Sequence, residues 1–293
     1  MTIPKKLAHE YNTGMGHQRS DFEASYRLDS RSTWSHMILH NHNFYEIFIH
    51  IRGGSSFCIN DQFYTLEPGA LLIIPPFTMH GMISEEPLIN YERAFLYITP
   101  QMLKKIGMDE IDFLKILDSQ TSNGNYKFLM PESDWRKARG LIKGMMAHME
   151  ERALLSRMAD IADALSFLAI ICRVVRNPES LGKPSKGHGM TQQVLAYLHE
   201  NYTKTLFLSD IAAHFNVSVS YLSHEFKRNT HLSIYGYITQ RRINYAKELM
   251  SSNHALTDIA FMCGFGNYSN FARVFDNLCG VSPREYRKSL QAL

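Results

Sequence analysis

A short pattern near the C-terminus occurs twice. The residues LSDIA at 208–212 return as LTDIA at 256–260, 48 positions later, and the matches that follow keep an offset of 49. A repeat with a fixed period is one supersecondary unit used twice. In each copy the apolar spacing fits a short helix, a tight turn and a second helix that buries residues four positions apart, Leu222 with Phe226 and Phe271 with Phe275. The repeat therefore predicts two helix-turn-helix units, at about 208–229 and 256–278.

Local signals place the helix ends. Ser209 and Thr257 are expected to be the N-caps of the two first helices, because a hydroxyl oxygen accepts a hydrogen bond from a free backbone N–H. Asp210 and Asp258 then lie in the first turn, where negative charge is favoured. Between the two units, the apolar spacing over 233–250 predicts one long helix.

A specific set of residues in this region identifies a family. The set comprises Arg241-Arg242-Ile243, Ala246-Lys247-Glu248-Leu249-Met250, Asp258-Ile259-Ala260, Gly264-Phe265, Phe271, Phe275 and the run from Gly280 to Arg287. With these residues the chain resembles the AraC/XylS family of bacterial transcription regulators, over about 100 residues without a gap. The resemblance implies a regulator of the activator type that binds double-stranded DNA through residues 190–293, with RNA polymerase as a candidate partner. It implies no enzyme activity and no cofactor.

Two recognition helices of this kind should lie about 34 Å apart, one turn of DNA, and enter successive major-groove faces. The candidate base contacts are Ser220, Ser223, His224 and Lys227 in the first unit, and Asn267, Ser269, Asn270 and Arg273 in the second. Ser218 and Tyr268 are candidate phosphate contacts. Arg273 is the strongest candidate, because a guanidinium suits a bidentate contact with guanine. His224 stands where family members often carry a longer basic side chain, so the first unit is expected to read bases weakly.

Charge is distributed unevenly along the chain. Residues 185–293 hold 11 Lys and Arg against 7 Asp and Glu, whereas the remainder holds 20 against 21. This modest basic excess predicts moderate, salt-dependent affinity for DNA. The four cysteines lie far apart with no CxxC pair, which is typical of free thiols in a reducing cytoplasm. The N-terminus lacks the apolar run of a signal peptide, and we expect a cytoplasmic protein with no membrane span.

Residues 1–100 have a different pattern. Short runs rich in β-branched and aromatic residues occur at 47–51, 57–59, 63–66 and 71–74, and turn residues separate them. Closely spaced strands of this kind predict a β-sandwich or barrel.

Two histidine motifs refine this prediction. His40, His42 and Glu46, followed by the run from Pro75 to His80, resemble the two motifs of cupins, which are small double-stranded β-helix barrels. AraC-type regulators often carry such a domain as a sensor. Phe77 departs from the pattern, since cupins usually have glycine at this position.

Even-numbered residues of the first motif share one face of a strand. His40, His42, Glu46 and His80 are therefore candidates for an effector site in a polar cavity, with 47, 49 and 51 buried on the opposite face. Three alternatives stay open. These residues bind a small organic effector, they bind a divalent metal ion, or they only hydrogen-bond to one another. An organic effector corresponds to an effector-controlled regulator. A metal ion corresponds to a metal-sensing regulator or, against the evidence of the tandem units, to a metal-dependent cupin enzyme.

The segment 101–176 is expected to be helical and to mediate homodimer formation. Its apolar stripes are predicted at 135, 138, 141, 142, 145, 146 and 149, and at Ile161, Leu165, Leu168, Ala169 and Cys172. Residues 177–189 are polar and rich in Pro and Gly, which predicts a flexible linker. The expected fold class is α+β: a cupin-like β-barrel with a helical dimerisation segment, then an all-α tandem helix-turn-helix domain.

Overall fold

The computed structural model describes residues 22–31, 39–53, 55–83, 89–108, 110–151, 154–185 and 189–291. Strands dominate its first part and helices its second, which confirms the expected α+β class. The strands are β1 (Phe22–Arg31), β2 (Tyr45–Arg52), β3 (Ser55–Ile59), β4 (Gln62–Leu66), β5 (Ala70–Ile74), β6 (His80–Ile83), β7 (Ile89–Ile98) and β8 (Lys127–Leu129).

These strands form two sheets, which we call the β-domain. The larger sheet has the order β1-β7-β2-β5-β8 and the smaller sheet the order β4-β3-β6, and the strand pairs are antiparallel. The predicted strands at 47–51, 57–59, 63–66 and 71–74 are confirmed as β2 to β5. The strands β1 and β7 pair along their length, and the sequence pattern does not predict them because charged residues interrupt their apolar positions.

The larger sheet separates two cores. Ile47, Ile49 and Ile51 of β2 point outward into a core that the sheet shares with helices. On the inner face, Phe48 packs with Phe57 and other residues of the smaller sheet. Burial of each such side chain contributes about 1.5–3 kcal/mol, so both faces of β2 favour the same register.

Four helices cover the outer face of the larger sheet: α1 (Pro100–Gly107), α2 (Phe113–Thr121), α3 (Glu132–Glu151) and α4 (Leu154–Arg176). The stripe predicted on α4 is partly wrong, because Ile161 and Ala169 are exposed while Phe167 and Ile171 are buried. The helix α4 is apolar on most of its circumference, so periodicity alone does not decide which face packs. None of the described helices combines the length and the apolar character needed to cross a membrane.

The expected flexible linker makes ordered contacts over its first part, which corrects that prediction. A short 3-10 helix spans Pro178–Ser180, Gly182 N–H donates to Lys127 O at 2.9 Å, and Ser185 N–H donates to Phe63 O at 2.6 Å. The open edges of β8 and β4 supply these acceptors, and a polar segment satisfies them without any apolar periodicity. Residues 186–188 lie outside the described residues.

The second part contains α5 (Met190–Asn201), α6 (Leu208–His214), α7 (Val219–Thr230), α8 (Ile234–Leu249), α9 (Leu256–Met262), α10 (Tyr268–Cys279) and α11 (Pro283–Gln291). Both predicted helix-turn-helix units are present, as α6 with α7 (unit 1) and α9 with α10 (unit 2). The predicted N-caps are wrong, because α6 and α9 already include the preceding leucines and place Ser209 and Thr257 inside the first turn. The caps are Phe207 and Ala255, which make no side-chain cap hydrogen bond.

The long helix α8 joins the two units. Near its N-terminus, Ile234, Tyr237 and Ile238 belong to the core of unit 1. Farther on, Ile243 and Ala246 belong to the core of unit 2. A change in the position of α8 therefore acts on both units.

Candidate functional sites

Unit 1 presents the first candidate surface on α7. The Ser218 hydroxyl accepts a hydrogen bond from Tyr221 N–H at 3.1 Å, so Ser218 is the N-cap of this helix. Leu222 and Phe226 are buried, as predicted, and fix which face of α7 points outward. On that outward face Ser220, His224 and Lys227 are exposed and Ser223 is half-buried.

Unit 2 repeats this geometry on α10. The side chain of Asn267 caps the helix by accepting from Asn270 N–H at 2.8 Å. Ser269 and Arg273 are exposed, while Tyr268 is half-buried against Phe271. The Arg273 guanidinium donates to Asn270 Oδ1 at 2.9 Å, which orients it along the outward face.

Two features of this surface are not predicted by the sequence. Tyr221 is 51% exposed at the start of α7, next to the predicted base contacts. Sequence reasoning missed it because an aromatic residue in a helix usually indicates a buried position. Conversely, Arg241 and Arg242 of α8 are hydrogen-bonded inside the protein, and Lys247 is buried. Part of the basic excess of residues 185–293 is therefore not available to DNA phosphates.

The four predicted effector residues come together in the β-domain. His42 and His80 each place Nε2 3.1 Å from the same atom, Glu46 Oε2. The His40 and His80 rings lie 4.3 Å apart between centroids, and their backbones exchange two hydrogen bonds of 2.9 Å. None of the four residues is more than 8% exposed. We call this group the His/Glu cluster.

The backbone holds two of the rings from the other side. His42 Nδ1 lies 2.9 Å from Phe44 O, and His80 Nδ1 lies 2.8 Å from Thr78 O. Burial lowers the pKa of His42 below its ordinary value, although the neighbouring Glu46 opposes this shift. Burial alone would raise the pKa of Glu46, but the two histidines together outweigh it and hold this pKa well below its usual range.

The surroundings of the cluster are more apolar than the predicted polar cavity. The Phe44 ring stacks on His42 at 4.0 Å, and Tyr97 and Phe57 lie near the cluster histidines. The inner faces of both sheets contribute mostly aromatic and aliphatic side chains. Glu46, Phe48 and His50 share one face of β2, but His40 and His42 precede this strand, so the predicted strand face does not extend to them. Polar groups are concentrated at the cluster.

A loop connects the cluster to α8. Phe77 N–H donates to His42 O at 2.7 Å, and Phe77 O accepts from Asn244 Nδ2 at 3.1 Å. Phe77 has a φ of 62°, in the left-handed region that favours glycine, which explains why cupins usually have glycine here. The Phe77 ring lies 5.5 Å from Lys247 Nζ, so its side chain packs against the DNA-binding part.

A second contact lies beside the first. Arg241 of α8 donates to Asn60 Oδ1 at 2.8 Å, and Asn60 Nδ2 donates to the Tyr126 hydroxyl at 3.1 Å. Leu39, Cys58 and Met79 of the β-domain share one apolar core with unit 1. From the sequence, Asn60 is only a turn residue. Its contact with Arg241 could not be predicted, because the two residues are 181 positions apart and no sequence period links them.

Comparisons with known proteins support both parts. An AraC-like ligand binding domain matches residues 23–123, and a helix-turn-helix domain matches residues 211–289. The chain is 26% identical over 282 residues to the HTH-type transcriptional activator RhaS of Yersinia pseudotuberculosis serotype I (strain IP32953), covering 92% of this chain and 96% of the relative. RhaS of Klebsiella pneumoniae (strain 342) is 25% identical over 259 residues, covering 87% and 88%.

Two solved structures match this chain with TM-scores below 0.5. ToxT from Vibrio cholerae is 14% identical with a TM-score of 0.34, covering 92% of this chain and 98% of that one. The C-terminal domain of AraT, a response regulator from Geobacillus stearothermophilus, is 28% identical with a TM-score of 0.35, covering 36% and 88%.

Proposed function

The chain belongs to the AraC family of transcription regulators, and from this premise we propose how it reads DNA and how an effector controls that reading. Its function is that of an effector-controlled, DNA-binding transcription activator with a ligand-binding N-terminal domain. The relatives named RhaS are HTH-type transcriptional activators. The observation that carries the proposal is the pair of equivalent helices α7 and α10 joined by one helix, α8, that also contacts the ligand-binding domain.

We propose that α7 and α10 enter successive major-groove faces of one DNA site, about 34 Å apart. Ser220, Ser223, His224 and Lys227 contact bases in one half, and Asn267, Ser269, Asn270 and Arg273 in the other. Six of these residues are exposed and Ser223 and Asn270 are half-buried, all on or next to the outward faces of capped helices, which supports this assignment. Ser218 and Tyr268 contact phosphates near the helix N-termini, where the free backbone N–H groups favour anions.

Control passes through the Phe77 loop. A ligand at the His/Glu cluster fixes His42 and His80, and the backbone of Phe77 links His42 to Asn244 of α8. A ligand shifts an equilibrium only through differential contacts with its states. Because Phe77 is hydrogen-bonded directly to α8, a ligand that moves Phe77 also moves the helix shared by both DNA-binding units.

The helical segment 101–176 supports a homodimer in this proposal. On α4, Met158, Ile161 and Ala169 are exposed and Leu165 is partly exposed, and this spacing forms one apolar stripe. A twofold dimer buries such a stripe against its own copy. The unit of action is then a cytoplasmic dimer that binds DNA through residues 190–293, with RNA polymerase as the candidate partner of an activator.

The experiment that tests this function removes the cluster without touching the DNA-binding residues. The double variant His42→Ala with His80→Ala should lose the transcriptional response to the effector, while the purified protein keeps its affinity for the target DNA. Because lost hydrogen bonds cost about 1–3 kcal/mol each, the thermal melt of the variant is measured alongside.

Asn244→Ala sharpens this test, because it should keep ligand binding and weaken the response. Asn229→Ala is the matched control, since Asn229 donates to Thr191 Oγ1 within the DNA-binding part at 2.7 Å. A folded double variant that responds normally contradicts the proposed site, and an Asn244→Ala variant that responds normally contradicts the proposed route.

A further inference from the structure

Tyr221 is an aromatic residue that folding leaves in water. Its side chain is 51% exposed in the first turn of α7 and lies outside the core of unit 1. Among the described residues, no aromatic ring stacks on it and no side chain hydrogen-bonds to its hydroxyl. Single exposed aromatic residues are common, and Tyr235 at the start of α8 is 71% exposed as well. Exposure alone therefore does not indicate a contact.

The register of the repeat places Tyr221 among the base contacts. With the offset of 49, Tyr221 corresponds to Asn270 and His224 corresponds to Arg273. In unit 2 the Asn270 side chain accepts a hydrogen bond from the Arg273 guanidinium at 2.9 Å, so these two side chains lie together on the face that we assign to bases. Residues three positions apart in a helix are neighbours, so Tyr221 lies beside His224 on the equivalent face of α7.

The N-cap fixes where the ring projects. Ser218 caps α7 by accepting from Tyr221 N–H at 3.1 Å, and Tyr221 is the third residue of this helix. In helix-turn-helix proteins the N-terminal residues of the second helix contact base edges in the major groove. Helical side chains also tilt toward the N-terminus of their helix. The Tyr221 ring therefore extends from the end of α7 that meets the bases.

The chemistry of the ring selects one base. Asn270 and Arg273 offer several polar groups for paired hydrogen bonds with a base edge, whereas a tyrosine offers one hydroxyl and a large apolar surface. The apolar group that a base edge presents in the major groove is the C5 methyl of thymine. A ring that covers this methyl removes apolar surface of both partners from water, which stabilises the complex.

We propose that Tyr221 reads a thymine methyl group. Unit 1 then recognises its half of the site by apolar contact, whereas unit 2 recognises the other half by hydrogen bonds from Arg273 to guanine. The inference rests on the proposed function, since it requires α7 to enter the major groove. It deepens that function by naming the base that unit 1 recognises.

The test uses the full-length protein and synthetic duplexes of a site selected from genomic DNA. Deoxyuridine replaces thymidine in one half of the site at a time, which removes only methyl groups. The two halves are assigned by footprinting Arg273→Ala, which should weaken protection of the half bound by unit 2. In the half bound by unit 1, affinity should fall by about fourfold for each contacted methyl, as expected for one buried group of this size. In the other half it should change little.

Variants of Tyr221 assign this effect to the ring. Tyr221→Ala should bind the thymidine and deoxyuridine duplexes equally, because the group that distinguishes them is gone. Tyr221→Phe should keep the difference, because it keeps the ring and loses only the hydroxyl. Tyr235→Ala is the matched control, because Tyr235 is an exposed tyrosine near a helix N-terminus outside α7 and α10, and this variant should respond to deoxyuridine as the wild type does.

Each contrary outcome has a defined meaning. Selective binding that ignores deoxyuridine in the half bound by unit 1, or a deoxyuridine effect that survives Tyr221→Ala, overturns the inference alone. Equal loss of affinity in Tyr221→Phe and Tyr221→Ala also overturns it, because the hydroxyl would then contact a phosphate. A wild type that binds the selected site no better than random DNA overturns the proposed function together with this inference.

Discussion

The two helix-turn-helix units share one pattern of apolar residues but differ in their surroundings. The core of unit 1 continues into the β-domain through Leu39, Cys58 and Met79. The core of unit 2 consists of residues from α8 to α11 and the turns between them. The same local pattern therefore builds one unit whose core continues into the ligand-binding domain and one whose core does not.

Their outward faces differ as well. The face of α7 offers hydroxyls, His224 and Lys227, whereas the face of α10 offers Arg273 braced by Asn270. We infer that unit 1 is the more tightly coupled to the β-domain and that unit 2 supplies more of the base discrimination.

The largest loss of stability should come from truncating one buried phenylalanine in the core of each unit. Phe226→Ala and Phe275→Ala should each destabilise their own unit by about 3–5 kcal/mol. Both tryptophans, Trp34 and Trp135, lie outside the DNA-binding part, so tryptophan fluorescence monitors the N-terminal part. Phe226→Ala should lower the temperature of the fluorescence transition, and Phe275→Ala should not. Equal shifts in the two variants would show that unit 2 is as tightly coupled as unit 1.

Acid should weaken the β-domain before it weakens unit 2. Burial lowers the pKa of His50 to about 4, so between this value and the ordinary pKa the unfolded chain binds a proton that the folded chain does not. The free energy of unfolding should therefore fall by about 2–3 kcal/mol as the pH is lowered from above the ordinary histidine pKa to about 4. Thermal melts from pH 7 to 4 should show this slope in wild type and a shallower slope in His50→Gln; parallel slopes would exclude His50 as its source.

Base discrimination should be lost mainly through unit 2. Arg273→Ala should cost about 1–3 kcal/mol at the target site and relax the preference at one base pair, with little change on random DNA. His224→Ala should cost less. Binding isotherms on both kinds of DNA check this, with Arg273→Lys as the control that keeps the charge. An equal loss on both kinds of DNA would identify Arg273 as a phosphate contact.

The smallest effect should follow removal of the β-domain and the helical segment. Residues 185–293 alone should fold and recognise the same site, with affinity reduced by more than a few-fold because linked modules raise effective concentration. Hydrogen exchange should increase in α5 and unit 1, whose apolar surface is uncovered, and stay unchanged in unit 2. An unfolded fragment would show that the domain boundary is wrong.

Sequence patterns predict the local parts of this molecule well. The fixed-period repeat identifies both units, because each copy is a local pattern of apolar residues. Alternation along β2 likewise places Glu46 and Phe48 on one face. The packing of Phe77 and Asn60 on α8 joins residues far apart in the chain, where no period operates. Phe77 in place of the usual glycine is the one local sign of this contact, since its left-handed backbone needs a compensating interaction.

The most direct test of two units reading one site is a hydroxyl-radical footprint of the full-length protein on a fragment selected from genomic DNA. For each bound protomer we predict two protected segments, one DNA turn or about 34 Å apart, with Arg273→Ala weakening only the segment bound by unit 2. A single protected segment, or protection that does not distinguish the selected fragment from random DNA, would contradict the account.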